Sequence, residues 1–315
     1  MQYEISGFWR RVAAFFIDSI ILAVLGLLLG LFFSQQFVAL GGWGRAIGFP
    51  IAAIYFAVLN SRMGGGQTIG KRALKIQVVD KRGVLLSLPK SALRYSVIGV
   101  PYFLNGATLP ESILYPIGFY LVSLLVLGFG LSIVYLIVFN RNTRQSLHDI
   151  IVGTYVVRKN SEPTEPIKPV WSVHYAICGI LMLLSLLAPI FMGQIIQNEF
   201  FSELTKTRDQ IQNIPQVIYA TIQDGQSTFS EISGESKTTT YLSAQVFINS
   251  QNIEDEKLAA RIANVILETH KDATQRNLIQ VSLTYGYDIG IASKWTRYRY
   301  SFGPEYWLAK KGQGI

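Results

Sequence analysis

Apolar residues in this chain come in long unbroken runs. Residues 12–33 carry one charged side chain, Asp18. Residues 113–139 contain no ionisable group except tyrosine, and residues 170–193 are interrupted only by His174. At about 1.5 Å per residue, a helix over the first run reaches roughly 33 Å, enough to cross a hydrocarbon core of about 30 Å. The three runs therefore predict membrane-spanning helices. Two weaker runs lie between them: residues 44–60, with Pro50, and residues 95–109, with Pro101 and Asn105. The first run is too long for the roughly 7–15-residue apolar core of a signal peptide, and no small-residue cleavage site follows it.

The polar stretches predict smaller elements. Residues 74–80 alternate loosely and are β-branched, Lys81-Arg82-Gly83 supplies a turn and the apolar 84–88 follows, which reads as a β-hairpin. Pro89 suits the first turn of the next helix. Residues 161–169 contain three prolines and predict an extended linker. Beyond it, residues 194–212 look helical, and residues 216–223 and 239–250 look like strands. A helix then opens on Asp255 and Glu256, with Leu258, Ile262, Val265, Ile266 and Thr269 on one face. Residues 277–285 and 291–302 form a last hairpin around Asp288 and Gly290. The order ββαββ implies a small α+β domain. The expected fold class is a membrane all-α bundle of about five transmembrane helices with a small cytoplasmic β-hairpin, plus a C-terminal soluble α+β domain. Its parts are a four-span unit (1–160), a Pro-rich linker (161–170), a fifth span (171–193) and the polar domain (194–315).

Composition agrees with the runs. Half of the residues are hydrophobic, 15% are charged and the mean hydropathy is +0.31, whereas soluble domains carry about 25% charged residues. Residues 1–196 have a net charge of +9 and residues 197–315 of −1. The basic half points to anionic lipid headgroups rather than nucleic acid. Arg10 and Arg11, the basic residues between 62 and 94, and those between 141 and 168 form three clusters. The positive-inside rule places all three in the cytoplasm, which requires residues 95–109 to cross. The expectation is a multi-pass protein of the cell (inner) membrane, with the N-terminus cytoplasmic and the C-terminal domain extracytoplasmic. A lone cysteine, Cys178, excludes an internal disulfide.

Candidate chemistry is sparse. Gly65-Gly66-Gln67-Thr68-Ile69-Gly70-Lys71 fits seven positions of a phosphate loop, but Arg72 stands where Ser or Thr would bind magnesium. A Gly-rich turn leaving the membrane surface is the plainer reading. Asp18 inside a span costs on the order of 2.5–3.5 kcal/mol unless protonated or paired. It is either part of an Arg–Asp–backbone network with Arg11, two helical turns earlier, or a cation- or proton-binding carboxylate. His148-Asp149 alone is too few ligands for a metal. Gly26 and Gly30 make a weak helix-packing step. Trp295, Tyr298, Tyr300, Tyr306 and Trp307 suit a sheet cover or a membrane surface better than base stacking. No catalytic grouping, metal site or cofactor motif is assembled, and an enzyme is not expected.

Several segments together are similar to one family. Gly7-Phe8-Trp9-Arg10-Arg11-Val12-Ala13-Ala14-Phe15-Phe16-Ile17-Asp18 resembles the opening of the RDD family, named for one arginine and two aspartates. Residues 65–72 with Val78-Val79-Asp80 resemble its central loop, and Ala92-Leu93-Arg94 the segment leading into its third span. Ser146-Leu147-His148-Asp149 and the residues to 157 resemble its closing motif. The resemblance covers about residues 5–158 and places the family arginine on Arg11 and its aspartates on Asp18 and Asp149. Gly66, Gln67, Thr68, Gly70, Lys71, Arg94 and His148 support the motif. The resemblance implies a bacterial-type multi-pass membrane protein with a transport role, sodium/proton exchange being attributed to some members. One expectation is thus a small, oligomerising cation/proton exchanger with Asp18 as its titrating group, tuned by Arg11 and gated by Asp149, with sodium or protons as partners. The other is a non-transporting anchor or accessory protein presenting an extracytoplasmic partner-binding domain.

Overall fold

The computed structural model describes residues 4–107, 117–159, 169–196, 199–230 and 236–312. Most of the expected linker (161–168), Glu111 and the first residues of the 113–139 run lie outside these. The chain forms two compact units. One comprises Met1–Phe33, Gly42–Phe191 and Asp288–Ser293; the other comprises Ser34–Gly41, Met192–Tyr287 and Lys294–Ile315.

The first unit is helical. Helix α1 covers Phe8–Leu40, with one non-helical residue at Phe33, where the apolar run ends. Helix α2 (Arg45–Asn60) holds Pro50, and the single-turn α3 covers Ile69–Ala73. Helix α4 (Leu88–Leu104) begins earlier than the apolar run because Pro89 starts it from its first turn. Helix α5 (Ile117–Phe139) contains a π-helical turn over Leu124–Phe129. The short α6 (Leu147–Val152) follows, and α7 covers Ser172–Ile196. Three stretches are long and apolar enough to cross a membrane: Phe8–Asn60, Ile117–Phe139 and Ser172–Ile195, the first containing both α1 and α2.

These helices turn apolar side chains outward. Leu31 and Phe32 in α1 are 72% and 78% exposed, and Leu183 and Phe191 in α7 are 60% and 61% exposed. Such faces belong against lipid, where helices satisfy their own backbone. Inside, Phe56 of α2 stacks on Tyr95 of α4 with ring centroids 4.9 Å apart. Cys178 of α7 packs with Val97, Ile133, Leu136 and Leu147. His174, for which the sequence offered no partner, meets the Tyr135 hydroxyl through Nδ1 at 2.9 Å.

The expected cytoplasmic hairpin does not form. Strand β1 (Ile76–Asp80) instead pairs antiparallel with β2 (Thr154–Arg158), from Ile76 opposite Arg158 to Asp80 opposite Thr154. The reason is burial. Val156 brings an apolar side chain into the cluster of Ile76, Val78, Ala14 and Leu86. Of the 84–88 segment, Leu86 joins that core but makes only an isolated bridge to Ser61, while Val84 is exposed. The chain at Asp80 turns tightly, its amide donating to Val84 O at 2.9 Å.

The second unit is α+β. Helix α8 (Glu199–Gln212) leads into a four-stranded sheet in the order β3 (Val217–Ser230), β4 (Ser236–Ile248), β5 (Leu278–Asp288) and β6 (Ser293–Phe302). The β3–β4 pair is antiparallel and the β4–β5 pair parallel. The parallel step requires a crossover, which α9 (Glu256–Thr269) supplies. Asp255 caps that helix, accepting from Leu258 N at 2.9 Å. Leu258, Ile262 and Ile266 lie in one buried cluster with Leu242, Val246, Val281 and Leu283. A final helix not anticipated from the sequence, α10 (Pro304–Gly312), adds Trp307, which is fully buried and donates its indole N–H to Ile279 O at 3.2 Å.

Candidate functional site

The motif residues of the first unit gather in two buried polar nodes. The first surrounds Asp18, which has no exposed surface. Its carboxylate accepts from the Tyr55 hydroxyl at 2.7 Å, the Thr68 hydroxyl at 2.5 Å and the Gly70 amide at 2.8 Å. Gly70 can come this close to α1 because it lacks a side chain: a Cβ there would stand 2.1 Å from Ala14 O. Thr68 also caps α3, accepting from Lys71 N at 3.3 Å. The phosphate-loop pattern resolves physically here. The backbone amide at Gly70, free to meet a phosphate in such a loop, is committed to a carboxylate of the protein itself.

The second node surrounds Asp149. The guanidinium of Arg94, on α4, donates to Asp149 Oδ1 through Nε at 2.9 Å and through an Nη at 2.7 Å. The Thr154 hydroxyl donates to the same oxygen at 2.9 Å. Asp149 Oδ2 lies 3.7 Å from an Arg11 nitrogen and 3.5 Å from His148 Nε2. Arg11 spends its other hydrogen bonds on backbone: Ser6 O at 3.2 Å, Val156 O at 3.0 Å and Arg144 O. The expected Arg11–Asp18 network is therefore not present. Seven residues of helix separate the two groups by about 10.5 Å, and each has nearer partners. Among the described residues, no cluster of three or more His, Cys, Asp or Glu could hold a metal.

Three further motif positions hold the connections. Gly66 adopts φ +70, and a Cβ there would meet Val78 O at 2.7 Å. Gln67 donates to Ile76 O at 2.8 Å and accepts from Lys159 Nζ at 3.1 Å. Lys71 Nζ donates to Asn60 Oδ1 at 2.8 Å.

A cavity of about 220 Å³ lies between these groups. Arg11, Lys71, Arg94, Arg144, His148 and Asp149 form its charged wall, and Asn60 and Ser146 add polar atoms. Phe8, Val12, Phe15, Phe56, Ile98 and Ile137 form its apolar wall. The Lys71 amine is pushed down from its ordinary 10.5 to about 7, first by desolvation and then by the charge of Arg94. Burial likewise pushes His148 down to about 3, against the pull of Asp149. For Asp149 burial alone would raise the pKa, but the neighbouring cationic side chains, Arg94 foremost, reverse that and hold it below the usual carboxylate range.

The structure thus brings Arg11, Lys71, Arg94, His148 and Asp149 to one cavity, and sets Asp18, Thr68 and Gly70 beside it. Sequence reasoning passed over Tyr55, Asn60, Arg144 and Thr154. Tyr55 and Asn60 did carry a signal, being polar groups near the end of an otherwise apolar span. Thr154 lay within the closing motif and Arg144 within a basic cluster, but nothing singled either out.

Residues 5–153 match the model of the RDD family, so this stretch is an RDD family domain. The uncharacterized protein YckC of Bacillus subtilis (strain 168) is 27% identical over 154 residues, covering 49% of this chain and 85% of YckC. The uncharacterized protein YxaI of the same organism is 28% identical over 176 residues, covering 49% of this chain and 97% of YxaI.

Two outcomes follow from the second node. Arg94→Gln leaves the buried Asp149 carboxylate without its main partner, a loss of about 3–5 kcal/mol for a broken buried pair. The thermal midpoint of the detergent-solubilised chain should fall sharply, and an unchanged midpoint would show the pair to be dispensable. Lys71 acts through pH. The unfolded chain keeps the lysine proton up to about 10.5 and the folded chain only to about 7, so stability rises with pH across that window. Comparing midpoints at pH 7 and 9.5, Lys71→Met should flatten the rise; an identical slope in the variant would refute the assignment.

Proposed function

We propose that the RDD domain is the working part of a small membrane transporter, with the charged cavity as its cargo site and Asp18 as its ion-coupling group. The observation that carries this reading is the cavity itself. Charged groups from separate segments converge on one cavity within an apolar, membrane-type helical bundle, and ionisable groups in such surroundings mark substrate and ion pathways.

The bonding of Asp18 supports an exchange role. Two of its three partners are hydroxyls. A hydroxyl can donate to a carboxylate or accept from a carboxylic acid. Asp18 can therefore take up and release a proton while the hydroxyl facing the protonated oxygen reverses direction and the other goes on donating. Asp149, clamped by Arg94, has no such freedom. Sodium or another small cation would compete with that proton at Asp18. In everted vesicles, Asp18→Asn should abolish cation-driven proton flux, and flux at the wild-type rate in this variant would end the proposal.

The same reading takes α4 as a crossing helix. Its 17 residues reach about 25 Å, short of a full bilayer but close to it. Five crossings then leave the β1–β2 sheet cytoplasmic and residues 199–312 extracytoplasmic. A second reading, in which the C-terminal unit recruits an envelope partner, draws on that unit having its own closed core and needs the same orientation. A cysteine at Ser250, in a chain with Cys178→Ser, should react with an impermeant maleimide from outside only. Reaction from the cytoplasmic side alone would overturn both the five-crossing topology and the partner reading.

A further inference from the structure

The cavity beside Asp149 has a charge that the protein does not balance. Arg11, Lys71, Arg94 and Arg144 line it against one carboxylate, Asp149. Even when Asp18, bonded to Gly70, is counted too, cations remain in excess. Excess charge withdrawn from water is costly unless something of opposite sign enters.

The cations are not equally committed. Arg94 is spent on Asp149 and Arg11 largely on carbonyl oxygens. Lys71 has three ammonium protons and, among the described residues, one acceptor, Asn60. His148 is buried, and its Nδ1 has no hydrogen-bond partner among the described residues. With Nε2 turned toward Asp149 at 3.5 Å, Nδ1 is free to accept a proton from a protonated oxyanion. Lys71, Arg144 and His148 line the cavity together with an apolar wall. Two residues of that wall, Val12 and Phe15, are also 39% and 52% exposed, so it runs out onto the helix surface that meets lipid.

We propose that this cavity binds a phosphomonoester headgroup carried on an apolar chain, with Lys71, Arg144 and His148 meeting the phosphate and Val12, Phe15 and Ile98 meeting the start of the chain. The chemistry fits at each point. A phosphomonoester carries about −1.5 to −2 charge near pH 7 and has three acceptor oxygens. In its singly protonated form it also offers an O–H, which His148 Nδ1 can accept. The volume of about 220 Å³ lies below the roughly 300–1,000 Å³ of sites for drug-sized ligands. It therefore admits a headgroup and the first carbons of a chain, the rest lying along the exposed face of α1. A choline- or sugar-headed amphiphile lacks the accessible charge.

The inference rests on reading the cavity as a cargo site, and its test separates the two. The full chain, purified in a neutral maltoside detergent, would be titrated by calorimetry with dodecyl phosphate, dodecylphosphocholine and inorganic phosphate. Dodecyl phosphate should bind at least tenfold more tightly than either of the others. Lys71→Met and Arg144→Gln should each weaken it about tenfold; Arg144 has no side-chain bond whose loss would unfold the protein among those described, so a misfolded Lys71 variant would still leave a readable result. Inorganic phosphate binding as tightly as dodecyl phosphate would overturn the lipid-borne source, and equal binding of dodecylphosphocholine, a phosphodiester, would overturn the preference for a monoester. Cation-driven flux in vesicles without dodecyl phosphate binding would overturn this inference and leave the transporter reading in place. Binding that depends on Lys71 and Arg144, in a chain that moves no cation, would do the reverse.

Discussion

A carboxylate taken out of water keeps its charge only where the protein replaces the solvent's hydrogen bonds, and Asp149 sets the terms for the first unit in that way. With 1% exposure, it needs donors from several directions at once. They come from Arg94 on α4, Thr154 on β2 and, at longer range, Arg11 on α1. Each donor fixes a different segment. The start of α1, the first turns of α4 and the α6–β2 turn cannot shift independently without leaving a buried charge unpaired. The β1–β2 sheet inherits its position from the same node, since Val156, whose carbonyl accepts from Arg11, also fills the core beneath Ile76 and Val78.

The two aspartates of the motif are physically unlike. Asp149 faces cations, which hold it ionised at any ordinary pH. Asp18 faces two hydroxyls and an amide, none of which carries charge. The cationic shell fixes the charge state of Asp149, whereas the neighbours bonded to Asp18 are neutral. The Thr68–Lys71 turn connects them in space: its hydroxyl and amide serve Asp18, and its lysine enters the cavity that Asp149 lines.

Much of this was legible in the sequence, and unevenly so. Run length located α1, α2 and α7, because a bilayer imposes a minimum apolar length that composition alone reveals. Pro89 located the start of α4, since proline suits a first turn. The ββαββ order of the C-terminal unit followed from periodicity. The hairpin at 74–88 failed because strand propensity says nothing about which partner buries more, and β2 lies some seventy residues away. Arg11 and Asp18 share a helix face by arithmetic, yet shared facing is not contact. The Arg94–Asp149 pair joins residues 55 apart, and no local pattern encodes such a pairing. Helix α10 was hidden because its anchor, Trp307, looks like one more aromatic residue in an aromatic-rich stretch.

The basic residues of the first unit also divide into two kinds. A count of basic residues treats Arg82 and Arg94 alike, though their side chains are 76% and 9% exposed. Arg94 is consumed by Asp149 and is not available to a headgroup layer. Lys71 and Arg144 line the cavity. Setting these aside, the connection from α2 to α4 still presents Arg62, Arg72, Lys75, Lys81 and Arg82 as exposed cations. Five charges at one interface are enough to favour the anionic leaflet at about 1 kcal/mol each. The basic character of the first unit therefore has two sources, an exposed set that suits a membrane surface and a cavity-lining set organised around one carboxylate and the space beside it. Only the exposed set bears on topology, and the cavity-lining residues call for a chemical explanation of their own.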